Sequence, residues 1–295
     1  MRIAVTGKTG QVVSALIERG AAAGHAVIAL GRPDLDLADP ATVLPALQAA
    51  RPDAIVSAAA YTAVDKAEGE AVLVQAINGA GAGAVARAAK ALGVPLVHLS
   101  TDYVFDGSLD RPYREEDVTG PTGVYGASKL AGEQAVLASG ADAAVLRVAW
   151  VYSPFGNNFV KTMLRLAGDR DVVSVVADQV GNPTSALDIA DAILTVATNM
   201  VSDSDPALHG VFHMTASGEA SWADFAEGIF FAAAARGAPS VAVRPITTAD
   251  YPTPARRPAN SRLDCRRIAH AHGIILPDWR SSLGTVVARL VPATA

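Results

Sequence analysis

From its first residue the chain alternates short apolar runs of strand length with longer stretches of helix length, a rhythm that admits few folds. Arg2–Thr6, Ala26–Leu30, Ala54–Ser57, residues 94–99 and Ala143–Val148 read as strands. Residues 10–23, 40–50, 70–92 and 125–138 read as the helices between them, with Asp39 an N-cap for the second. Strand–helix–strand units joined by right-handed crossovers predict an α/β fold with a parallel, doubly wound sheet. The strands are almost wholly apolar, as in a sheet covered by helices on both faces. After about residue 150 the rhythm loosens. Residues 159–166, 187–199 and 222–236 read as helices, the last capped by Ser221. Residues 172–175 and 211–214 read as short strands, and Pro252, Pro254 and Pro258 mark an extended segment.

Composition agrees with this class. Of 295 residues, 51% are hydrophobic and 18% charged, enough apolar material for one large core and a smaller lobe. The formal net charge of −5 and the lack of a basic block argue against nucleic-acid binding. A single cysteine, Cys265, allows no internal disulfide and fits a reducing compartment. The N-terminal apolar stretch is too short for a signal peptide core, and no window approaches a membrane span. The expectation is a cytoplasmic protein without a membrane partner.

The first strand runs into Gly7-Lys8-Thr9-Gly10-Gln11-Val12-Val13. Glycines three apart at a strand–helix junction allow a tight turn and a close approach to a pyrophosphate, which the free N–H groups of the helix N-terminus then bind. Val13 stands where a third glycine would ease helix–strand contact, which predicts a helix set slightly outward. Gly7, Thr9, Gly10, Gln11 and Val12 are therefore candidate dinucleotide contacts. Strand two ends at Gly31-Arg32, where an arginine suits a 2′-phosphate and leans toward NADPH, with NADH left open. Asp36 and Leu37 are placed beside the adenine. Ala58, Ala59 and Ala60 follow the third strand and let a cofactor lie against the backbone. Residues 1–150 then form a dinucleotide-binding Rossmann domain, and 151–295 complete its sheet and build a smaller substrate-binding lobe.

Tyr125-Gly126-Ala127-Ser128-Lys129 opens a helix, and the spacing of four puts phenol and ammonium on one face. A nearby cation is expected to lower the tyrosine's pKa toward neutrality, so that it can protonate an alkoxide formed by hydride attack on a carbonyl. Ser100-Thr101-Asp102-Tyr103 lies at the carboxyl end of the fourth strand, where such sheets bind ligands. Thr101 is preferred over Ser100 as the hydroxyl that meets the carbonyl.

These stretches resemble the dTDP-4-dehydrorhamnose reductases, extended short-chain dehydrogenase/reductases. The likeness rests on Gly7 to Val12, Ala59-Ala60-Tyr61-Thr62-Ala63-Val64-Asp65-Lys66-Ala67-Glu68, Ser100 to Gly107, Val124 to Glu133, Asp178-Gln179-Val180-Gly181-Asn182-Pro183-Thr184 and Arg257 to Asp264. It covers nearly the whole chain. It implies NADPH- or NADH-dependent reduction of a nucleotide-linked 4-keto sugar, with Tyr125 the proton donor, Lys129 holding the cofactor ribose, and Thr101 orienting the carbonyl. It implies that Thr62, Val64, Asp102, Tyr103 and Trp150 line the sugar site, and that Arg257 and Asn260 sit near the nucleotide end. Some members form dimers bridged by magnesium through glutamates, but Ala15 and Leu187 occupy those regions here. No protein-bound metal is expected, and the active unit is a monomer or a homodimer.

Other readings have less behind them. His270-Ala271-His272 points its histidines to different faces of a surface helix, and His98 reads as a hydrogen-bonded core residue. Trp222, Phe225, Phe230 and Phe231 read as lobe packing. An NADP-binding regulatory subunit or another nucleotide-sugar reductase or epimerase remains open at this level. The intact Thr101, Tyr125 and Lys129 weigh against a pure binding module.

Overall fold

The structure is a computed structural model and describes residues 1–292. Strand β1 (Arg2–Thr6) leads into helix α1 (Gln11–Ala22). It is followed by β2 (Ala26–Leu30), α2 (Val43–Ala50), β3 (Ala54–Ser57), the short helices α3 (Val64–Ala67) and α4 (Ala71–Gln75), α5 (Ala82–Leu92), β4 (Leu96–Thr101), α6 (Val124–Ala138) and β5 (Ala143–Val148). The central sheet has six strands in the order Gly210–His213, β5, β4, β3, β1, β2, every pairing parallel. The fold is thus the doubly wound α/β sheet that the sequence rhythm predicts.

The order in which strands are added reverses beside β1, because β2 lies on one side of it and β3 on the other. The loops leaving β1 and β3 diverge there, and such a switch point opens a crevice at the carboxyl ends of the strands. Thr6, fully buried at the end of β1, closes the base of that crevice. Its Oγ1 accepts the N–H groups of Ala58 (3.1 Å) and Ala59 (3.0 Å), fixing the turn after β3.

Alternation along the strands divides the core in two. Ile3, Val5, Val56, Val97, Leu99 and Leu146 face α1 and the helix Ala186–Ser202. Ala4, Ile55, Leu96 and Val145 face α2 and α5. This second face turns polar toward the strand ends, at Ser57, His98, Ser100 and Arg147, all buried. There Glu133 of α6 grips Arg147 of β5 through both oxygens, at 2.9 and 2.7 Å, with 2% and 4% of their side chains exposed.

One difference from the sequence reading lies between α4 and α5. Residues 71–92 are not one regular helix, because the six residues Ala76–Gly81 form a π segment. A Cβ on Gly81 would lie 2.6 Å from the Leu37 carbonyl, so the wide turn delivers a glycine where the chain after β2 crosses. Within α6, Gly126 and Gly132 have no room for a Cβ against the carbonyls of Tyr103 and Asn78. These glycines let α6 sit close to the sheet and to the π segment.

The second half of the chain returns one strand, Gly210–His213, to the sheet beside β5. The rest packs around Phe225, Tyr152 and Trp279, with Val172–Val176 paired to Ala242–Ile246. The helix Trp222–Ala234 starts with a capping box in which Ser221 and Asp224 satisfy each other's backbone N–H. Removing one partner of a buried pair strands a charge. Arg147→Leu should therefore destabilise the fold by about 3–5 kcal/mol, read by urea unfolding. Glu133→Leu/Arg147→Leu together should recover much of that loss, and a single variant within about 1 kcal/mol of wild type would contradict this account.

Candidate active site

A cleft of about 1250 Å³ lies along the carboxyl ends of β1, β3 and β4 and reaches the lobe. At one end the backbone of Gly7 takes φ +103°, a conformation that favours glycine, and a Cβ there would meet Val13 Cγ2 at 3.2 Å. Val13 is 2% exposed and fills the space over Gly7, so the missing third glycine is compensated by packing. Helix α1 begins at Gln11 with Gly10 as N-cap and no side-chain cap, leaving its first N–H groups to face the cleft. Lys8 is tied back to the Arg32 carbonyl at 2.9 Å and to Asp34 at 3.4 Å. The Arg32 guanidinium at the cleft rim is exposed and meets no carboxylate among the described residues. Thr9, Gly10, Gln11, Val12, Asp36, Leu37 and Ala58 to Ala60 all line this end. Glycine turn, free helix N-terminus, small side chains and unpaired arginine together fit a phosphorylated dinucleotide.

Thr101, Tyr125 and Lys129 line the same cleft further along. Lys129 is 4% exposed and its Nζ donates to the Leu99 carbonyl at 2.6 Å. Burial lowers its ammonium to about 8, against the pull of Glu133. The Tyr125 phenol departs from the sequence expectation. Burial and the Asp102 carboxylate push it well above the ordinary tyrosine value, with the Thr101 hydroxyl acting in the opposite sense. Lys129 does not offset this, because its ammonium is engaged with the β4 backbone. The Tyr125 ring stands edge-on to Tyr103, centroids 5.5 Å apart.

Thr101 donates to Asp102 Oδ1 at 3.0 Å and accepts from the Tyr103 N–H at 3.3 Å, so it caps the strand–loop turn while facing the cleft. Burial raises the Asp102 carboxyl to about 6, with the Ser261 and Thr101 hydroxyls acting in the opposite sense. Thr62, Val64, Tyr103 and Trp150 line the cleft as well.

Arg257 flanks the cleft without lining it. Its Nη2 pairs with Asp65 at 2.8 Å, and its buried Nη1 has no partner. Asn260 is not brought to the site. It is 6% exposed, its Nδ2 donates to the carbonyls of Leu109 and Arg111 at 2.8 Å each, and its Oδ1 accepts from Arg262. It clamps loops and has no donor left for a ligand.

Of the other expectations some hold and some are corrected. His98 is buried as predicted, but neither ring nitrogen has a partner, and burial together with Lys129 holds it neutral. On the helix Arg266–His272, His270 is exposed and His272 buried. Phe225 and Phe230 are packing residues, whereas Phe231 is 80% exposed. Trp222 is more than packing, since it lines the cleft and stacks on Trp150 with centroids 3.6 Å apart and planes 9° from parallel. Sequence reasoning also missed Asn78. Its side chain joins the Tyr61 backbone (2.7 and 3.0 Å) to Ser128 of α6 (3.0 Å), and an amide amid alanines and glycines was the available signal.

Comparison with known proteins agrees with this geometry. The RmlD substrate binding domain family matches residues 1–291. A dTDP-4-dehydrorhamnose reductase of Sinorhizobium fredii is 52% identical, over 99% of this chain and 98% of its own length. One of Burkholderia thailandensis is 46% identical, over 99% of each. The crystal structure of a Clostridium acetobutylicum dTDP-4-dehydrorhamnose reductase superposes with a TM-score of 0.90 at 37% identity, over 98% of this chain and 99% of that one. A Bacillus anthracis reductase, solved in complex with NADP, gives 0.88 at 35% identity, over 97% and 98%. With the likeness running along almost the whole of every chain compared, this protein belongs to the dTDP-4-dehydrorhamnose reductase family.

Proposed function

We propose that the chain reduces dTDP-4-dehydro-L-rhamnose to dTDP-L-rhamnose, drawing on NADPH and, less readily, NADH. The observation that carries this reading is the convergence of Thr101, Tyr125 and Lys129 on the cleft that also holds the Gly7–Val12 cradle. The family's names and the NADP complex of the Bacillus anthracis relative support it.

The reduced nicotinamide supplies the hydride when bound. Gly7, Thr9, Gly10, Gln11 and Val12 would hold its pyrophosphate, and Arg32 the 2′-phosphate. Asp36 and Leu37 would flank the adenine, and Lys129 the ribose beside Tyr125. As hydride reaches the sugar carbon, Tyr125 gives its phenolic proton to the carbonyl oxygen. A phenol with a raised pKa keeps its proton at neutral pH, yet an alkoxide is basic enough to take it. The Lys129 ammonium, buried one turn along the same helix, would then lend its charge to the tyrosinate left behind, and Thr101 would hold the carbonyl toward Tyr125.

Thr62, Val64, Asp102, Tyr103 and Trp150 are assigned to the sugar. Arg257, steadied by Asp65, is assigned to the diphosphate through its unpartnered Nη1. Asn260 is assigned to loop clamping instead. Residues 1–150 serve the dinucleotide, and the rest closes the sheet and supplies the sugar wall. The enzyme is assigned to the cytoplasm as a monomer or homodimer. Ala15 and Leu187 are both buried and cannot bridge a magnesium ion.

Oxidation of NADPH and of NADH, followed by absorbance with the keto sugar generated in situ, tests the reaction. No consumption with the sugar present would reject it. Tyr125→Phe should lower kcat by about 10²–10⁴-fold while calorimetry shows NADPH affinity almost unchanged. Lys129 sets the pH dependence. Its folded pKa of about 8 lies below the ordinary 10.5, so the ammonium persists below pH 8 and is lost above it. The free-enzyme kcat/KM should accordingly fall as pH rises through about 8, and a profile flat to pH 10 in wild type would contradict the role. Arg32→Ala should raise the KM for NADPH by roughly tenfold and leave that for NADH nearly constant.

A further inference from the structure

Helix α6 opens without a cap of its own. Gly123 stands at the N-cap position, where it offers no side chain, and the first turn holds no acidic residue. The first N–H groups of a helix need partners from elsewhere. For Val124 the partner is Glu68, which ends α3 far back in the chain and accepts the Val124 N–H through Oε1 at 2.9 Å. A carboxylate on a backbone N–H at the positive end of a helix is a charge-assisted bond, stronger than its neutral counterpart. The glycine makes room for it, since a Cβ on Gly123 would lie 2.8 Å from that same oxygen. Tyr125 is the next residue along the helix.

Glu68 also closes a stretch of chain that borders the cleft, for Thr62 and Val64 line it a few residues earlier. The start of that stretch is held by Asn78, which accepts the Tyr61 N–H at 2.7 Å and donates to the Tyr61 carbonyl at 3.0 Å. The same amide nitrogen donates to Ser128 Oγ at 3.0 Å, and Ser128 donates to the Tyr125 carbonyl at 2.7 Å. Residues 61–68 are thus fastened to α6 at two points, one through Asn78 and Ser128, the other through Glu68. Tyr125 lies between these points on the helix, and Thr62 and Val64 lie between them on the loop. The first tie is buried, whereas Glu68 is exposed.

We infer that Glu68 is a positioning residue for Tyr125. Its bond to Val124 sets the spacing between the Thr62 and Val64 side of the cleft and the phenol, so that a carbonyl resting on that side meets the proton donor in register. Asn78 alone would fix one end of the loop and leave the other free to swing against the helix. The second tie removes that freedom. Catalysis is sensitive to such freedom, because a misplacement of about 1 Å can cost roughly 10²-fold in rate. Glu68 does not line the cleft and acts through the helix that it holds. The cofactor cradle at Gly7 to Val12 belongs to β1 and α1 and does not depend on this bond.

The inference rests on the reductase reading, so the wild-type enzyme is first shown to oxidise NADPH with the keto sugar. Failure there rejects the reading itself, and with it any role of the tie in turnover. Given wild-type turnover, Glu68→Ala should lower kcat by roughly tenfold, with the sugar KM changed less. The Kd for NADPH by calorimetry should stay within about twofold at full stoichiometry, which also reports an intact fold. Glu68→Gln keeps an oxygen that can accept the Val124 N–H and should retain most of the turnover. Gly123→Ser in the Glu68→Ala background offers the helix a local cap, since apart from Glu68 nothing stands within 4 Å of the added Cβ. That cap does not reach the loop, so kcat should stay at the Glu68→Ala level. An unchanged kcat in Glu68→Ala would overturn the inference. So would an equal loss in Glu68→Gln, which would assign the effect to charge, or recovery of kcat by Gly123→Ser, which would reduce the role to helix capping. A parallel loss of NADPH affinity would overturn it as well.

Discussion

Two cations are buried beneath helix α6, and the geometry of the site depends on how they are held. Arg147 is paired with Glu133, and Lys129 is bound to the Leu99 carbonyl. A charge removed from water is tolerable only when its partners are close and fixed. Helix α6 must therefore lie tightly on β4 and β5. Gly126 and Gly132 make this contact possible, because a methyl at either would strike a carbonyl. Tyr125 rides on the same helix, one turn before Lys129, so the constraint that satisfies the charges also fixes the phenol. Asn78 reinforces it by joining the π segment, the loop after β3 and Ser128.

The rest of the cleft is a consequence of strand order. Loops leave β1 and β3 in opposite directions, and the gap between them is floored by Thr6 and the Ala58 to Ala60 turn. The protein carries a formal charge of −5, yet an arginine stands at each end of the cleft. Arg32 is unpaired at one end of the cleft, and Arg257 has one free edge near the other. Local charge, not net charge, governs recognition at such distances, since fields between exposed groups are screened within about 10 Å.

The sheet was largely legible because burial on two faces forces apolar runs that periodicity reveals. Arg2–Thr6, Ala26–Leu30, Ala54–Ser57 and Ala143–Val148 appear with the predicted bounds. Caps were legible too, since Asp39 and Ser221 use chemistry confined to a few neighbouring residues. Partners across the fold were not. Nothing in the local sequence says that Asn260 spends all its hydrogen bonds on two loops, or that His98 is buried without any. Trp222 sits at a helix start with no periodic context, and only its pairing with Trp150 discloses a place in the cleft. The π segment was hidden because its residues have ordinary helical propensities, and its cause is a crossing chain at Leu37.

The tyrosine illustrates how a motif can be right in position and wrong in its simplest physics. A lysine four residues on suggests a phenol tuned toward neutrality, but here the ammonium is bound to the backbone and the charge acting on the phenol is that of Asp102. The outcome still suits a reduction. A tyrosine ionised beforehand would have no proton to give, whereas one held protonated by burial can give it only to a strong base. Hydride attack creates that base at the carbonyl oxygen. In the proposed reduction the raised pKa would couple proton transfer to hydride arrival, and the buried lysine would be needed only once the tyrosinate exists. On this view the Asp102 carboxylate is part of the same device, since its negative charge opposes early ionisation of Tyr125 while its hydrogen bond keeps Thr101 beside the phenol.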